Sequence, residues 1–150
     1  MSELRELYQE VILDHNRKPR NFRTLPSPTQ TAEGYNPLCG DRVSVELALE
    51  GDVIRDIAFH GSGCAISRAS ASMMTSSLKG KTLGEAEEAF DHFHGMLTDD
   101  RPSGEPPAAL GKLAAFEGVR EFPIRIKCAT LPWHTLRAAM AGEAEPVSTE

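Results

Sequence analysis

Residues 43–66 read VSVELALEGDVIRDIAFHGSGCAI, and this stretch decides the expected fold. Its first part alternates apolar and polar residues, the apolar ones being Val43, Val45, Leu47 and Leu49. Alternation with a period of two is typical of a strand that buries one face. Glu50-Gly51-Asp52 then supplies turn residues, and an extended run resumes from 53 to 60. The stretch therefore predicts an antiparallel hairpin.

Helical patterns follow the hairpin. Small and apolar residues over 64–78 predict a helix that is buried on much of its surface and is ended by Gly80. Thr82 and Glu85 have the spacing of a capping box and open a second helix that runs to about Met96.

Helical patterns also occupy the two ends of the chain. An amphipathic pattern before the hairpin stops at Pro19, and a last helix is expected from near Cys128 towards Ala141. Helices around a hairpin, without regular alternation of strand and helix, predict an α+β fold. A chain of 150 residues has room for one hydrophobic core, so we expect a single domain over 1–150. Residues 98–111 read as an exposed loop, and 143–150 read as a frayed tail.

Composition narrows the classes of function. The formal net charge of -6 argues against a nucleic-acid partner. No apolar run approaches the roughly 18 residues that a membrane helix needs, and the charged N-terminus lacks the apolar centre of a signal peptide. We therefore expect no membrane partner and a cytoplasmic location. Three cysteines cannot all pair within one chain, so metal or sulfur chemistry becomes the alternative to disulfides.

Each of the three cysteines stands at a predicted element boundary. Cys39 lies in a tight turn two residues before Asp41, Cys64 lies at a helix start, and Cys128 follows basic residues at another helix start. Three thiolates and one carboxylate match the four ligands of tetrahedral Zn²⁺ and would also suit an iron–sulfur cluster. The cysteines lack CxxC pairs, so their spacing alone does not establish a metal site. One alternative is that the cysteines are buried packing residues. Another is that the Asp41 carboxylate hydrogen-bonds the backbone of its own turn.

Four histidines are rival ligands in the sequence. His92 and His94 are two residues apart on a predicted helix, so they do not share a face, and we expect both on the surface. His60 ends a strand beside the glycine turn and is expected to be structural. His134 is the fourth candidate.

Four motifs together resemble one protein family. They are LYQEVILDHNRKPRN (7–21), NPLCGDRV (36–43), GSGCAIS (61–67) and RIKCATLPW (125–133). In this order they are similar to the SufU branch of the IscU/NifU-N family of iron–sulfur assembly proteins. The resemblance implies a small antiparallel sheet of about three strands covered by helices. It also implies zinc held by Cys39, Asp41, Cys64 and Cys128, with Cys39 accepting persulfide sulfur from a SufS-like cysteine desulfurase.

Two departures from the family pattern favour the SufU branch. IscU scaffolds carry a histidine before the third cysteine and an LPPVK motif ahead of it, whereas this chain has Lys127 and FPIRI at 122–126. A segment near 92–118, expected to be an exposed insertion, is also a feature that the resemblance assigns to SufU-like members. Arg125 matches an arginine that this branch keeps near the metal, where it could gate the site.

The resemblance leads to three hypotheses of function. The first is a sulfurtransferase-like relay in which docking exchanges Cys39 for a ligand from the desulfurase, and Cys39 then passes sulfur to a downstream iron–sulfur scaffold. The second is a scaffold on which a [2Fe–2S] cluster is assembled by the same three thiolates with Asp41 or an outside ligand. The third is a zinc staple for a small adaptor protein.

Overall fold

The computed structural model describes residues 2–37, 40–98, 108–142 and 147–148. Its elements, in chain order, are α1 (Ser2–Arg17), β1 (Gln30–Asn36), β2 (Asp41–Glu50), β3 (Val53–Ser62), α2 (Ala65–Leu78), α3 (Leu83–Thr98), a 3₁₀ segment (Ala108–Glu121), α4 (Pro123–Ala141) and β4 (Val147–Ser148). Among the described residues, no helix is long and apolar enough to cross a membrane.

The predicted hairpin is confirmed as β2 and β3, and the predicted α+β fold is confirmed with it. The strand order is β3-β2-β1-β4, and β2 pairs antiparallel with both β1 and β3. The hairpin closes between Glu50 and Val53, with Gly51 in the left-handed conformation at φ 64°. A register shift between Ala48 and Leu49 marks a bulge near this end. The opposite end of the sheet brings the start of β2 and the end of β3 together.

Strand β1 had no clear signal in the sequence. Its inward positions are Ala32, Gly34 and Asn36, of which only alanine is an apolar side chain. Gly34 is required because β1 lies directly under α4: a Cβ at this position would overlap Thr135 Oγ1. A strand that packs so close to a helix cannot present the large apolar residues that reveal alternation. The antiparallel part of the sheet thus has the three strands that the resemblance implies.

The C-terminal tail contributes more structure than expected. Val147–Ser148 pairs in parallel with Gly34 and Tyr35, at the edge of the sheet. The other residues of the expected frayed tail, 143–146 and 149–150, lie outside the described residues.

One hydrophobic core lies between the sheet and the helices. It joins inward residues of β2 and β3, such as Val45, Leu47 and Ile57, to the buried faces of α2, α3 and α4. The helix predicted over 64–78 and the capping box of the next one are both confirmed. Glu85 N–H donates to Thr82 Oγ1 at 3.1 Å, and the Thr82 N–H donates back to the Glu85 carboxylate at 3.0 Å.

The expectation of an exposed insertion near 92–118 is wrong for much of the part that the structure describes. Phe93 and Phe116 are fully buried, with ring centroids 5.7 Å apart, and Leu113 is buried beside them. The 3₁₀ segment packs its apolar side chains into the core after a break at Gly111. Residues 99–107, which include most of the expected loop over 98–111, lie outside the described residues.

The predicted start of the last helix is also corrected. Helix α4 begins at Pro123, five residues before Cys128, with Phe122 as the extended N-cap residue. Proline is well suited to the first turn because its fixed φ is helical and its missing N–H would be unpaired there. Pro123 therefore starts the helix. Cys128 therefore lies in the second turn of α4 and is 2% exposed.

Candidate metal centre

Three of the four predicted ligand residues meet at one end of the sheet. The ligand atoms of Asp41, Cys64 and Cys128 all lie within 4.8 Å of one another. Asp41 is 0% exposed and Cys128 is 2% exposed, whereas Cys64 is half-buried. They come from β2, the start of α2 and α4, so residues 87 positions apart in the chain converge through tertiary packing alone.

Asp41 is held at the site by the backbone beside Cys64. Its Oδ1 accepts the Cys64 N–H at 2.8 Å, and its Oδ2 lies 3.7 Å from Cys64 Sγ. This approach requires the glycine at position 63, since a Cβ there would lie 2.7 Å from Asp41 Oδ1. Gly61, at φ 143°, lies against the Arg42 carbonyl in the same way. The two glycines of the GSGC motif therefore let the end of β3 approach the start of β2 closely.

Cys64 occupies the N-cap position of α2, as the sequence predicts. Its Sγ accepts the Ser67 N–H at 3.4 Å, in the place where serine, threonine or aspartate usually caps a helix. The unpaired N–H groups at this end of the helix carry partial positive charge. The cap thus places Cys64 Sγ beside that charge and 3.7 Å from Asp41 Oδ2.

Cys128 reaches the site from the face of α4 that covers β1. The buried amide of Asn36, at the end of β1, donates from Nδ2 to Cys128 Sγ at 3.7 Å. Sequence reasoning did not select Asn36 as a functional residue. The signal that could have found it is its place at the start of the NPLCGD motif, as the last inward position of a strand.

Cys39 lies outside the described residues, together with Leu38. The described residues on either side of them border the site. The Gly40 N–H donates to the Asn36 carbonyl at 2.8 Å, and Gly40 has φ 72°, so the chain reverses between β1 and β2 here. The role of Cys39 therefore remains a prediction.

Two arginines, of which Arg125 was expected near the metal, stack on aromatic rings. Arg125, in the first turn of α4, places its guanidinium 4.6 Å from the Phe122 ring centroid and is exposed one turn before Cys128. Arg68, on α2, lies 4.8 Å from the Phe22 ring centroid. In both contacts the positive guanidinium lies over the electron-rich face of the ring.

The rival histidines do not join this site. His60 lies on β3, 3.6 Å from the Glu46 carboxylate, and His92 is exposed on α3. His94 and His134 instead form a histidine cluster with Phe90 and Arg137: His94 stacks on Phe90, and Arg137 lies over the same ring. His94 is therefore half-buried, where a surface position was expected. Burial, then His94 and Arg137, lower the pKa of His134 below its usual value.

The donor set fits a metal ion that prefers sulfur. Two ligand atoms about 2.3 Å from one tetrahedral ion lie about 3.8 Å apart. Asp41 Oδ2 and Cys64 Sγ are 3.7 Å apart, and all three ligand atoms lie within 4.8 Å of one another. Among the residues that the structure describes, this is the single group of three or more His, Cys, Asp or Glu side chains that could hold a metal.

Comparison with known proteins supports this assignment. Residues 7–129 match the NifU-like N terminal domain family. The chain is 42% identical to the zinc-dependent sulfurtransferase SufU of Bacillus subtilis over 91% of each protein. It is 40% identical to the iron–sulfur cluster assembly scaffold protein IscU of Streptococcus pyogenes, over 96% of this chain and 89% of that protein.

Solved structures agree with the sequence relatives. A putative iron–sulfur cluster assembly scaffold protein for the SUF system from Fervidobacterium islandicum superposes with a TM-score of 0.81 at 35% identity, over 87% of this chain and 94% of that one. An N-terminal NifU-like protein from Brucella abortus gives the same TM-score at 27% identity, over 90% of this chain and 92% of that one. The family resemblance carried by the four motifs is confirmed, and the chain belongs to the NifU-like N terminal domain family.

Proposed function

We propose that this protein is a zinc-dependent sulfur acceptor, which takes persulfide sulfur from a SufS-like cysteine desulfurase and passes it into iron–sulfur cluster assembly. The observation that carries the proposal is the convergence of Asp41, Cys64 and Cys128 within 4.8 Å. Cys39 precedes Asp41 by two residues in the chain. The 42% identity to a zinc-dependent sulfurtransferase supports the choice of metal and of reaction.

Zinc suits this set of donors better than a hard cation does. Sulfur ligands are preferred by zinc and by iron–sulfur clusters, whereas magnesium and calcium prefer oxygen. Asp41, Cys64, Cys128 and Cys39 would make a closed set of four ligands, as in structural zinc sites. The bound ion would keep the sulfurs deprotonated at neutral pH and fix their positions.

Sulfur transfer itself is a thiol–disulfide type of exchange at Cys39. The Cys39 thiolate attacks the outer sulfur of the desulfurase persulfide, and a new S–S bond forms on Cys39. The S–S bond of the desulfurase breaks, and its cysteine leaves as a thiolate. The exchange conserves electrons, so it needs no outside oxidant or reductant. In this division of roles Asp41, Cys64 and Cys128 hold the ion and Cys39 carries the sulfur.

A second candidate is a scaffold that assembles a [2Fe–2S] cluster on the same thiolates. It is favoured by the 40% identity to an iron–sulfur cluster assembly scaffold protein over nearly the whole chain. Carboxylate ligation beside cysteine would complete the cluster ligands. The two candidates differ in metal content, since the acceptor holds zinc and the scaffold holds iron with acid-labile sulfide.

The test combines elemental analysis with a desulfurase assay. We expect about one zinc and little iron per chain, together with faster sulfide release by the desulfurase when the wild-type protein is added. Cys39→Ala should remove the acceleration, whereas His92→Ala, at an exposed position on α3, should preserve it. Acceleration by Cys39→Ala equal to that of wild type would show that Cys39 is not the acceptor. Iron with labile sulfide and no acceleration would favour the scaffold.

A further inference from the structure

Asn36 connects two parts of the metal centre through different atoms. Its side-chain amide donates to Cys128 Sγ at 3.7 Å, and its backbone carbonyl accepts the Gly40 N–H at 2.8 Å. It is 0% exposed, and its Cα pairs with that of Asp41 at the end of the β1–β2 ladder. A single buried residue thus contacts one proposed ligand, Cys128, and pairs with another, Asp41.

The packing of α4 on β1 explains why Asn36 can reach Cys128. Inward and outward residues alternate along β1, so Gly34 and Asn36 both lie on the side of the sheet that α4 covers. A Cβ on Gly34 would meet Thr135 and Leu131, which follow Cys128 by seven and three residues on α4. Residues at that spacing share one helix face. Gly34 therefore brings strand and helix into close contact, and Asn36, one strand repeat further on, lies beneath Cys128.

An N–H donor has a defined effect on a metal-binding sulfur. A hydrogen bond to a thiolate stabilises its negative charge and lowers its reactivity as a nucleophile, and such charge-assisted bonds are the stronger ones. Both cysteine sulfurs that the structure describes have such a donor. Cys64 receives the Ser67 backbone N–H, which the helix supplies, whereas Cys128 receives a side-chain amide, which a point mutation can remove.

We infer that Asn36 is a positioning residue of the metal centre, whose amide keeps Cys128 a fixed and weakly nucleophilic ligand. This inference rests on the proposed function, since it concerns thiolates that hold a metal. It extends that function by giving a physical reason why Cys128 stays a ligand of the metal. Residues around a metal that orient its ligands commonly affect both affinity and reactivity.

The experiment compares Asn36→Leu with wild type in the cobalt-substituted protein. Leucine fills a similar volume but has no donor, and cobalt reports thiolate ligation through sulfur-to-metal charge-transfer absorption. Without the N–H donor the sulfur lone pair rises in energy, so we expect this band to shift to longer wavelength. Alkylation of Cys128 in the zinc-loaded protein, mapped by peptide mass spectrometry, should become about tenfold faster, as expected for the loss of one charge-assisted hydrogen bond.

Ser70→Ala is the matched control. The Ser70 hydroxyl donates to the Ala129 carbonyl at 2.6 Å, so this variant removes a buried hydrogen bond to α4 beside Cys128 without touching a sulfur. Its band position should equal that of wild type. If Asn36→Leu does not fold, Asn36→Ala removes the same donor and leaves a small cavity instead.

The possible outcomes separate this inference from the proposed function. An unchanged band and an unchanged alkylation rate in a folded Asn36 variant would overturn the role of Asn36 and leave the metal centre standing. An equal shift in Ser70→Ala would also overturn it, because the effect would then come from packing. Failure of the wild-type protein to bind cobalt or zinc would instead overturn the proposed function, and this inference with it.

Discussion

The metal centre and the histidine cluster both contain side chains that can bind metals, but they differ in what surrounds those side chains. At the metal centre, Asp41, Cys64 and Cys128 direct their ligand atoms to one place, and N–H donors meet them there. In the histidine cluster, the two rings pack against Phe90 and against each other, with centroids 5.3 to 5.6 Å apart. The comparison shows that the two regions share metal-binding residue types and differ in whether the ligand atoms converge on one point.

Removal of a metal ligand should have the largest effect, a loss of bound zinc. It is also the most direct test of the difference between the metal centre and the histidine cluster. Cys64→Ser, Cys128→Ser and Asp41→Ala should each reduce the zinc content from about one per chain to near zero after dialysis against a chelator, because three ligands hold zinc far more weakly than four. His94→Ala and His134→Ala should keep full zinc content. Zinc loss from either histidine variant would contradict the division between the two regions.

Truncation in the aromatic core should have the next largest effect. Phe93 is fully buried and lies 4.8 Å from the Trp133 ring and 5.7 Å from the Phe116 ring, centroid to centroid. Phe93→Ala should lower the free energy of unfolding by about 3–5 kcal/mol, measured by urea denaturation of the zinc-loaded protein. The neighbouring exposed residue gives the control, since His92→Ala should change the free energy of unfolding by less than about 0.5 kcal/mol. If Phe93→Ala lowers the free energy of unfolding by no more than His92→Ala does, this region is not part of the core.

The smallest effect concerns the pH dependence of the histidine cluster. Burial, followed by His94 and Arg137, lowers the pKa of His134 in the folded protein, so between the folded and unfolded pKa values the unfolded chain binds more protons. The stability that His134 contributes is therefore present above the unfolded value, near 6.5, and is lost as the pH falls below it. His134→Gln should flatten the decrease in stability between about pH 7.5 and about pH 5.5.

The measurement is the difference in the free energy of unfolding between wild type and variant at each pH. The difference is needed because His15 also has a lowered pKa and contributes to the pH dependence of stability in both proteins. Burial, helped by Arg20, is the main cause at His15. An identical slope for wild type and His134→Gln would show that His134 does not titrate differently in the folded and unfolded states.

Much of the fold could be predicted because its signals are local. The alternation over 43–49, the turn at Gly51 and the capping box at Thr82 each depend on neighbouring residues, and each was read correctly. The errors arose where tertiary packing replaces a local signal. Strand β1 faces α4 with small and polar residues, and Pro123 starts a helix although proline more often ends one.

The candidate site could be predicted as a set of residues but not as a geometry. Cys39, Asp41, Cys64 and Cys128 stood out by their residue types and by the family resemblance. The contact between Asn36 and Cys128 could not be inferred, because it depends on the register of α4 over β1 across 92 positions of sequence. The contact of His134 with Phe90 and His94 could not be inferred for the same reason, since it joins α4 to α3. The stacking of His94 on Phe90 is different, because the two residues are four positions apart on one helix and their contact is local.

Mapping of the transferred sulfur tests the central claim most directly. The zinc-loaded protein is incubated with a cysteine desulfurase and cysteine, alkylated, digested and analysed by mass spectrometry. The account predicts one additional sulfur atom on the peptide that contains Cys39, with zinc retained and with Cys64 and Cys128 unmodified. Additional sulfur on Cys64 or Cys128 in place of Cys39, or no transferred sulfur at all, would contradict it.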